Sequence, residues 1–164
     1  AALLNVVNRS VRLVKSQVPS GISILVDIPE NLFLSMDIQR IQEVLIIMII
    51  NASQAITGEG KIYISAFIDT DMAEAVIEIT DTGMGIPDEI KDRIFDPFYS
   101  TKDEGQGTGL GLSIAYGIIQ KHNGKIVVES VAGSGASFFI HLPLDTEQKE
   151  QNIGHGQPSW IGVG

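Results

Sequence analysis

Four alternating glycines stand just before a segment with the apolar spacing of a helix, residues 110–122: Gly105, Gly107, Gly109 and Gly111. Backbone amides without side chains can approach an anion, and the start of a helix favours negative charge. No Lys-Ser or Lys-Thr pair follows the glycines, as in a Walker loop, and no strand leads into them, as in a dinucleotide fingerprint. The stretch predicts a phosphate-binding cradle; the alternative is a flexible linker before a helix.

An acidic residue, Asp81, ends a strand-like segment and is followed by Gly83 and Gly85. The missing side chains of two glycines leave room beside the carboxylate for a flat ligand. A carboxylate only accepts hydrogen bonds, and the exocyclic amine of adenine donates them. The pattern therefore indicates a carboxylate that binds adenine, with an ordinary Asp-Thr-Gly turn as the alternative.

An amide residue, Asn51, lies late in an apolar helical segment. A buried amide without a hydrogen-bond partner is costly, so its oxygen is expected to have a ligand. Mg²⁺ takes roughly one or two protein oxygens and completes its shell with water and phosphates. Asn51 is thus a candidate magnesium ligand, and the alternative is an asparagine that helps to end the helix.

The spacing of apolar residues predicts the elements that position these side chains. Helical spacing is found at residues 3–18, 38–58 (capped by Asp37), 87–94 and 110–122. Strand-like segments are residues 22–28, 32–36, 61–68, 75–80, 125–131 and 136–142. This order predicts a two-layer α/β sandwich, in which a mixed sheet of about five strands is covered on one face by about three helices. Residues 1–144 are expected to form this domain, and residues 145–164 a flexible tail.

Composition excludes several classes of function. The formal charge of −9 repels nucleic acid and anionic membrane surfaces, and the basic residues do not cluster. The longest apolar run, residues 44–50, is far shorter than the ~20 residues of a membrane-spanning helix. Because there is no cysteine, neither a disulfide nor a thiolate metal site can form. We expect no nucleic-acid partner and no direct membrane contact.

Four stretches taken together resemble the nucleotide-binding boxes of sensor histidine kinase catalytic domains. They are residues 51–55, 81–85, 94–102 and 105–113, with the sequences NASQA, DTGMG, IFDPFYSTK and GQGTGLGLS. The similarity extends from about residue 3 to residue 143, and the first stretch looks most like kinases of the nitrogen-regulation type. The resemblance implies the Bergerat ATP-binding fold, shared with DNA gyrase, in which ATP lies under a mobile lid.

The resemblance also implies a role for each motif residue. Asp81 would bind the adenine amine, and Asn51 would hold Mg²⁺ against the phosphates. Residues 96–107 would form the lid, anchored by the packing of Phe95 and Phe98, and within it Lys102 would meet a terminal phosphate. Asn51 and Lys102 are the implied catalytic residues. The implied nucleotide-binding set is Asn51, Asp81, Gly83, Gly85, Ile86, Phe95, Lys102, Gly107, Thr108, Gly109, Leu110 and Gly111.

The implied activity is that of a protein-histidine kinase, with ATP or ADP and Mg²⁺ as ligands. The γ-phosphoryl group would pass to a histidine on the dimerisation domain of the same protein, and a response regulator would act downstream. His122, His141 and His155 lack the acidic or basic flanks of a phosphoacceptor. The alternatives are a nucleotide-binding module without catalysis, whose lid controls partner docking, and a related kinase that acts on serine. The family's need for cellular ATP implies a cytoplasmic domain, whether or not the parent protein is membrane-anchored.

One position departs from the family pattern. Ile47 lies four residues before Asn51 and should share its helix face. Many of these kinases have asparagine there, and hydrolysing relatives have a glutamate that activates water. Isoleucine can neither accept a proton nor hold a water, so we expect it to lower the phosphotransfer rate. The alternative is core filler in a slightly rotated helix.

Overall fold

A five-stranded sheet and its helices make up residues 1–97 and 111–144, the parts of the chain that the computed structural model describes. The helices are α1 (Leu3–Val14), α2 (Ile38–Ala55), α3 (Asp88–Lys91) and α4 (Gly111–Lys121), and a short 3-10 helix, Lys15–Gln17, follows α1. The strands are β1 (Ile22–Asp27), β2 (Gly60–Asp69), β3 (Glu74–Asp81), β4 (Lys125–Ser130) and β5 (Ala136–Pro143).

The sheet is mixed, with the strand order β1-β2-β3-β5-β4. β1 pairs parallel to β2 because α2 forms the crossover between them, whereas the other neighbouring strands pair antiparallel. β2 and β3 form the predicted hairpin, which turns at Ala73 with a positive φ of 53°. The prediction of a mixed sheet of about five strands is confirmed.

The helices cover one face of this sheet. Alternate residues of the strands point to that face and are fully buried, among them Ile62, Ile77 and Ile140. They pack against the apolar side of α2, where Leu45 and Ile49 are 0% exposed. Each such side chain contributes roughly 1.5–3 kcal/mol by leaving water. The two-layer sandwich is therefore held together chiefly by α2, which also contacts α1 and α4.

The structure shows why α2 begins and ends where it does. Asp37 caps the first turn as predicted, because its side chain accepts a hydrogen bond of 3.3 Å from the backbone N–H of Arg40. The helix ends at Ala55, before the predicted end near residue 58, since Ile56 has extended dihedrals. The carbonyl of Ala55 accepts a hydrogen bond of 3.0 Å from Met84 N, which brings the end of α2 to the glycine-containing turn after β3.

The predicted strand at residues 32–36 is wrong. Only an isolated bridge between Ala2 and Phe33 forms there. Leu32 and Leu34 are each 3% exposed, and their backbones bond to the chain around the start of α1. The alternating pattern thus reported burial correctly, whereas the strand that pairs with β1 is β2.

The structure refines the predicted bounds of two helices. The helix expected at residues 87–94 is reduced to α3, whereas α4 ends as predicted before Asn123, which has a φ of 59°. Residues 145–164, predicted as a tail, lie outside the described residues. In the described ranges no helix is long and apolar enough to cross a membrane.

Candidate functional site

The centre of the candidate site is the carboxylate of Asp81. As the last residue of β3 it shares the helix-facing side of the strand with Ile77 and Ile79, and it is 3% exposed. Its Oδ1 accepts a hydrogen bond of 2.8 Å from Gly83 N. Burial raises the pKa of Asp81 above 3.8, and hydrogen bonds from the backbone N–H groups of Gly83 and Ala136 partly oppose the rise. The core thus holds an acceptor group that no described cationic side chain pairs with.

The turn after Asp81 is packed too closely for side chains at two positions. A Cβ on Gly83 would collide with the carbonyl of Ala55 at the end of α2. A Cβ on Gly85 would collide with the carbonyl of Val131, and its φ of +73° also disfavours any other residue. The turn therefore packs between α2 and the connection from β4 to β5, and this packing requires both glycines. The space that their missing side chains are predicted to leave for a flat ligand is occupied at these two positions by backbone carbonyls of the protein.

The predicted metal ligand, Asn51, lies in the last turns of α2 and is half-buried. Within residues 1–97 and 111–144 its side chain makes no hydrogen bond, so its oxygen is free for a ligand. The described residues contain no group of three or more His, Cys, Asp or Glu side chains that could hold a metal. A cation at Asn51 would consequently take most of its ligands from water and phosphates, which suits Mg²⁺.

Ile47, the residue that departs from the family pattern, lies next to the first residue of α4. A Cβ built on Gly111, the first residue of that helix, would lie 3.4 Å from Cγ2 of Ile47. Ile47 is half-buried and packs against the core. The face of α2 that carries Ile47 and Asn51 is therefore turned towards the start of α4, where partial positive charge accumulates.

Phe95 is fixed by two aromatic contacts. Its ring stacks on Tyr116 of α4 at a centroid distance of 5.3 Å and meets the edge of Phe138 of β5 at 6.3 Å. Such pairs add roughly 0.5–1.5 kcal/mol each beyond burial. Phe95 thus anchors the chain shortly before residue 98, where the described part breaks off.

Several predicted site residues lie outside the described part of the chain: Phe98, Lys102, Gly107, Thr108, Gly109 and Leu110. Ile86 is described and half-buried, and its backbone N–H donates a hydrogen bond of 2.7 Å to Oγ of Ser130. Sequence reasoning missed Ser130, and it missed Tyr116 as the partner of Phe95. Neither has a local signal, since both act through contacts with distant segments.

Comparisons with known proteins identify the family of the chain. The model of the histidine kinase-, DNA gyrase B-, and HSP90-like ATPase family matches residues 36–146. The catalytic domain of histidine kinase ThkA has 32% sequence identity and a TM-score of 0.79, over 90% of this chain and 96% of that domain. The chain therefore belongs to this ATPase family and, within it, to the catalytic domains of histidine kinases.

Curated relatives are longer proteins. The signal transduction histidine-protein kinase AtoS of Escherichia coli K12 is 42% identical over 111 residues, which are 68% of this chain and 18% of AtoS. Sensor kinase CckA of Brucella abortus is 37% identical over 126 residues, 69% of this chain and 13% of CckA. Full-length ShkA in complex with AMPPNP shares the fold, with a TM-score of 0.76 at 24% identity over 89% of this chain and 31% of ShkA.

The buried carboxylate gives the first prediction. Because the folded pKa of Asp81 is raised, the folded state holds its proton more tightly than the unfolded chain does. Stability is therefore lost as the pH rises from the unfolded value of 3.8 through the folded one. Asp81→Asn keeps an oxygen for Gly83 N and removes the charge. The free energy of unfolding of this variant, measured with urea, should increase relative to that of the wild type as the pH rises above 3.8. A difference that does not change with pH would contradict the assignment.

Proposed function

We propose that this chain binds Mg-ATP and transfers the γ-phosphoryl group to a histidine on a separate domain, as part of a two-component sensor histidine kinase. The single observation that carries the proposal is the buried Asp81 carboxylate beside a turn that admits no side chains at Gly83 and Gly85. In a low-dielectric site such an acceptor binds a donor strongly, and the adenine amine is a donor. Membership of the ATPase family supports the same ligand.

The phosphate end of the site is built on α2 and α4. The half-buried Asn51 oxygen would hold Mg²⁺, which neutralises phosphate charge when bound. The N-terminus of α4 at Gly111 favours negative charge on the same side. We assign the terminal phosphate contact to Lys102, and the remaining phosphate contacts to Gly107, Thr108, Gly109 and Leu110, from the sequence motif.

The transfer step itself needs little chemistry from the protein. A neutral imidazole nitrogen of the acceptor forms a bond to the γ-phosphorus, the bond to the bridging oxygen breaks, and ADP leaves. The other imidazole nitrogen then loses its proton. Ile47 can neither accept that proton nor hold a water that would accept it. The proton must therefore leave to solvent or to a group on the acceptor domain.

We further propose partners and placement. The acceptor would be the histidine-containing dimerisation domain of the parent protein, a response regulator would act downstream, and the domain would lie in the cytoplasm. The sequence of residues 51–55 favours the nitrogen-regulation type. The names of the relatives AtoS and ZraS, both histidine kinases, support sensor signalling.

A second candidate function is a nucleotide-binding module without catalysis, in which the bound nucleotide controls docking to a partner. The observation that favours it is Ile47, an apolar side chain packed against the core beside Gly111. The two functions share every contact at the adenine end and differ only in transfer.

Phosphotransfer to a supplied acceptor separates the two functions. We expect acid-labile radioactive phosphate on a compatible histidine-containing domain when this chain is mixed with it and with γ-labelled ATP. Asp81→Asn should abolish both nucleotide binding and labelling, whereas Asp27→Asn, at the exposed end of β1, should change neither. Binding without labelling would support the module, and retained binding in Asp81→Asn would overturn the adenine assignment.

Ile47→Asn tests the catalytic cost of the apolar side chain. An amide there can hold a water or the acceptor imidazole, so the rate of transfer should rise by roughly tenfold or more, within the range of general acid–base effects. Ile38→Asn, an exposed position on the same helix, is the control and should leave the rate unchanged. An equal rate in Ile47→Asn and the wild type would mean that Ile47 only fills the core.

A further inference from the structure

Ser130, the last residue of β4, connects two segments that are far apart in the sequence. Its Oγ accepts a hydrogen bond of 2.7 Å from Ile86 N and donates one of 2.8 Å to the carbonyl of Gly135. The residue is half-buried, so water competes weakly for these bonds. The hydroxyl therefore ties the turn after β3 to the turn between β4 and β5.

The backbone of Ser130 makes a third connection. Its carbonyl accepts a hydrogen bond of 2.6 Å from Nζ of Lys91, the last residue of α3. The Lys91 ammonium also pairs with Asp88 at 2.7 Å, which keeps the side chain directed at this point. Phe95 follows α3 closely, so the end of β4 contacts both the turn beside Asp81 and the helix before Phe95.

The turn itself is held at its two ends by different groups. At its start, Gly83 N bonds to the Asp81 carboxylate, and in its middle Met84 N bonds to the carbonyl of Ala55. At its end, the partner of Ile86 N is the Ser130 hydroxyl. Removing that hydroxyl would leave the Ile86 N–H without an acceptor and release this end of the turn.

We propose that Ser130 is a positioning residue for the nucleotide. Its hydroxyl holds the end of the turn, so that the turn, whose Gly83 and Gly85 pack against Ala55 and Val131, already has its binding conformation beside Asp81 before the nucleotide arrives. The proposal rests on the proposed function, because it assigns a role at the same adenine site. Without the hydroxyl the turn samples more conformations, and the nucleotide must order it on binding, which weakens affinity.

A positioning role and a contribution to stability can be distinguished by their effects on the dissociation constant of ADP, on KM and on kcat. A turn that is ordered only upon binding raises the dissociation constant of ADP and the KM for ATP by the same factor. Once ATP saturates the site the turn is ordered again, so kcat with a supplied acceptor domain stays unchanged. A hydroxyl that only stabilised the fold would leave both constants unchanged at temperatures where the variant is fully folded.

The test compares Ser130→Thr with Ser130→Val, which differ by a hydroxyl in place of a methyl group and have nearly the same shape. Ser130→Thr should retain the ADP affinity of the wild type, whereas Ser130→Val should weaken it by about 5- to 10-fold, the worth of one partly buried hydrogen bond. Ser137→Ala is the control, since Ser137 on β5 also bonds through its hydroxyl, to Thr80 at 2.8 Å, away from the turn. It should bind ADP as the wild type does.

Each result has one meaning. Equal affinities of Ser130→Thr and Ser130→Val, or a fall in kcat at unchanged KM, would overturn the positioning role while leaving ATP binding intact. If the wild type itself bound no ADP, the proposed function would fail and the positioning role with it. If neither Ser130 variant folds, hydrogen exchange in the wild type decides. The Ile86 amide should then be protected before ADP is added, and an amide protected only after ADP is added would contradict the proposal.

Discussion

Burying the Asp81 carboxylate is the constraint on which the surrounding structure depends. A charge in the core is expensive, and among the described residues the backbone N–H groups of Gly83 and Ala136 offset the cost. The strand must end at Asp81 for the chain to bend back and supply one of them. The bend is then so close to Ala55 that the residue at position 83 must be glycine. A group kept at such cost is typical of a functional site.

Helix α2 both stabilises the domain and positions the residues of the proposed site. Its buried side holds the sheet, its end receives the turn beside Asp81, and its remaining face carries Ile47 and Asn51 towards α4. Because one helix spans all three, the proposed adenine end and the proposed phosphate end of the site are fixed relative to each other. The proposed effect of Ile47 is on transfer and not on the shape of the site, so binding and transfer can be measured separately.

Local patterns predicted most of this fold. The two-residue period located β1 to β5 to within one residue at each end, and Asp37 and Asn123 marked helix ends as expected. Residues 32–36 were assigned to a strand because alternation reports burial and cannot report which backbone is the partner. The local sequence could not identify Ser130 for a related reason. Its hydroxyl accepts a hydrogen bond from Ile86 N, which is 44 positions away in the chain. The motifs identified Asp81, and only packing revealed what holds it in place.

The central claim, that Asp81 recognises the adenine amine, is tested most directly by comparing ADP with inosine diphosphate. Inosine carries a carbonyl oxygen where adenine carries the amine, so it would place an acceptor against the buried carboxylate. Isothermal titration of the wild-type chain should show ADP binding at least about tenfold more tightly, because one buried acceptor would be left unpaired. Equal affinities for the two nucleotides would contradict the account.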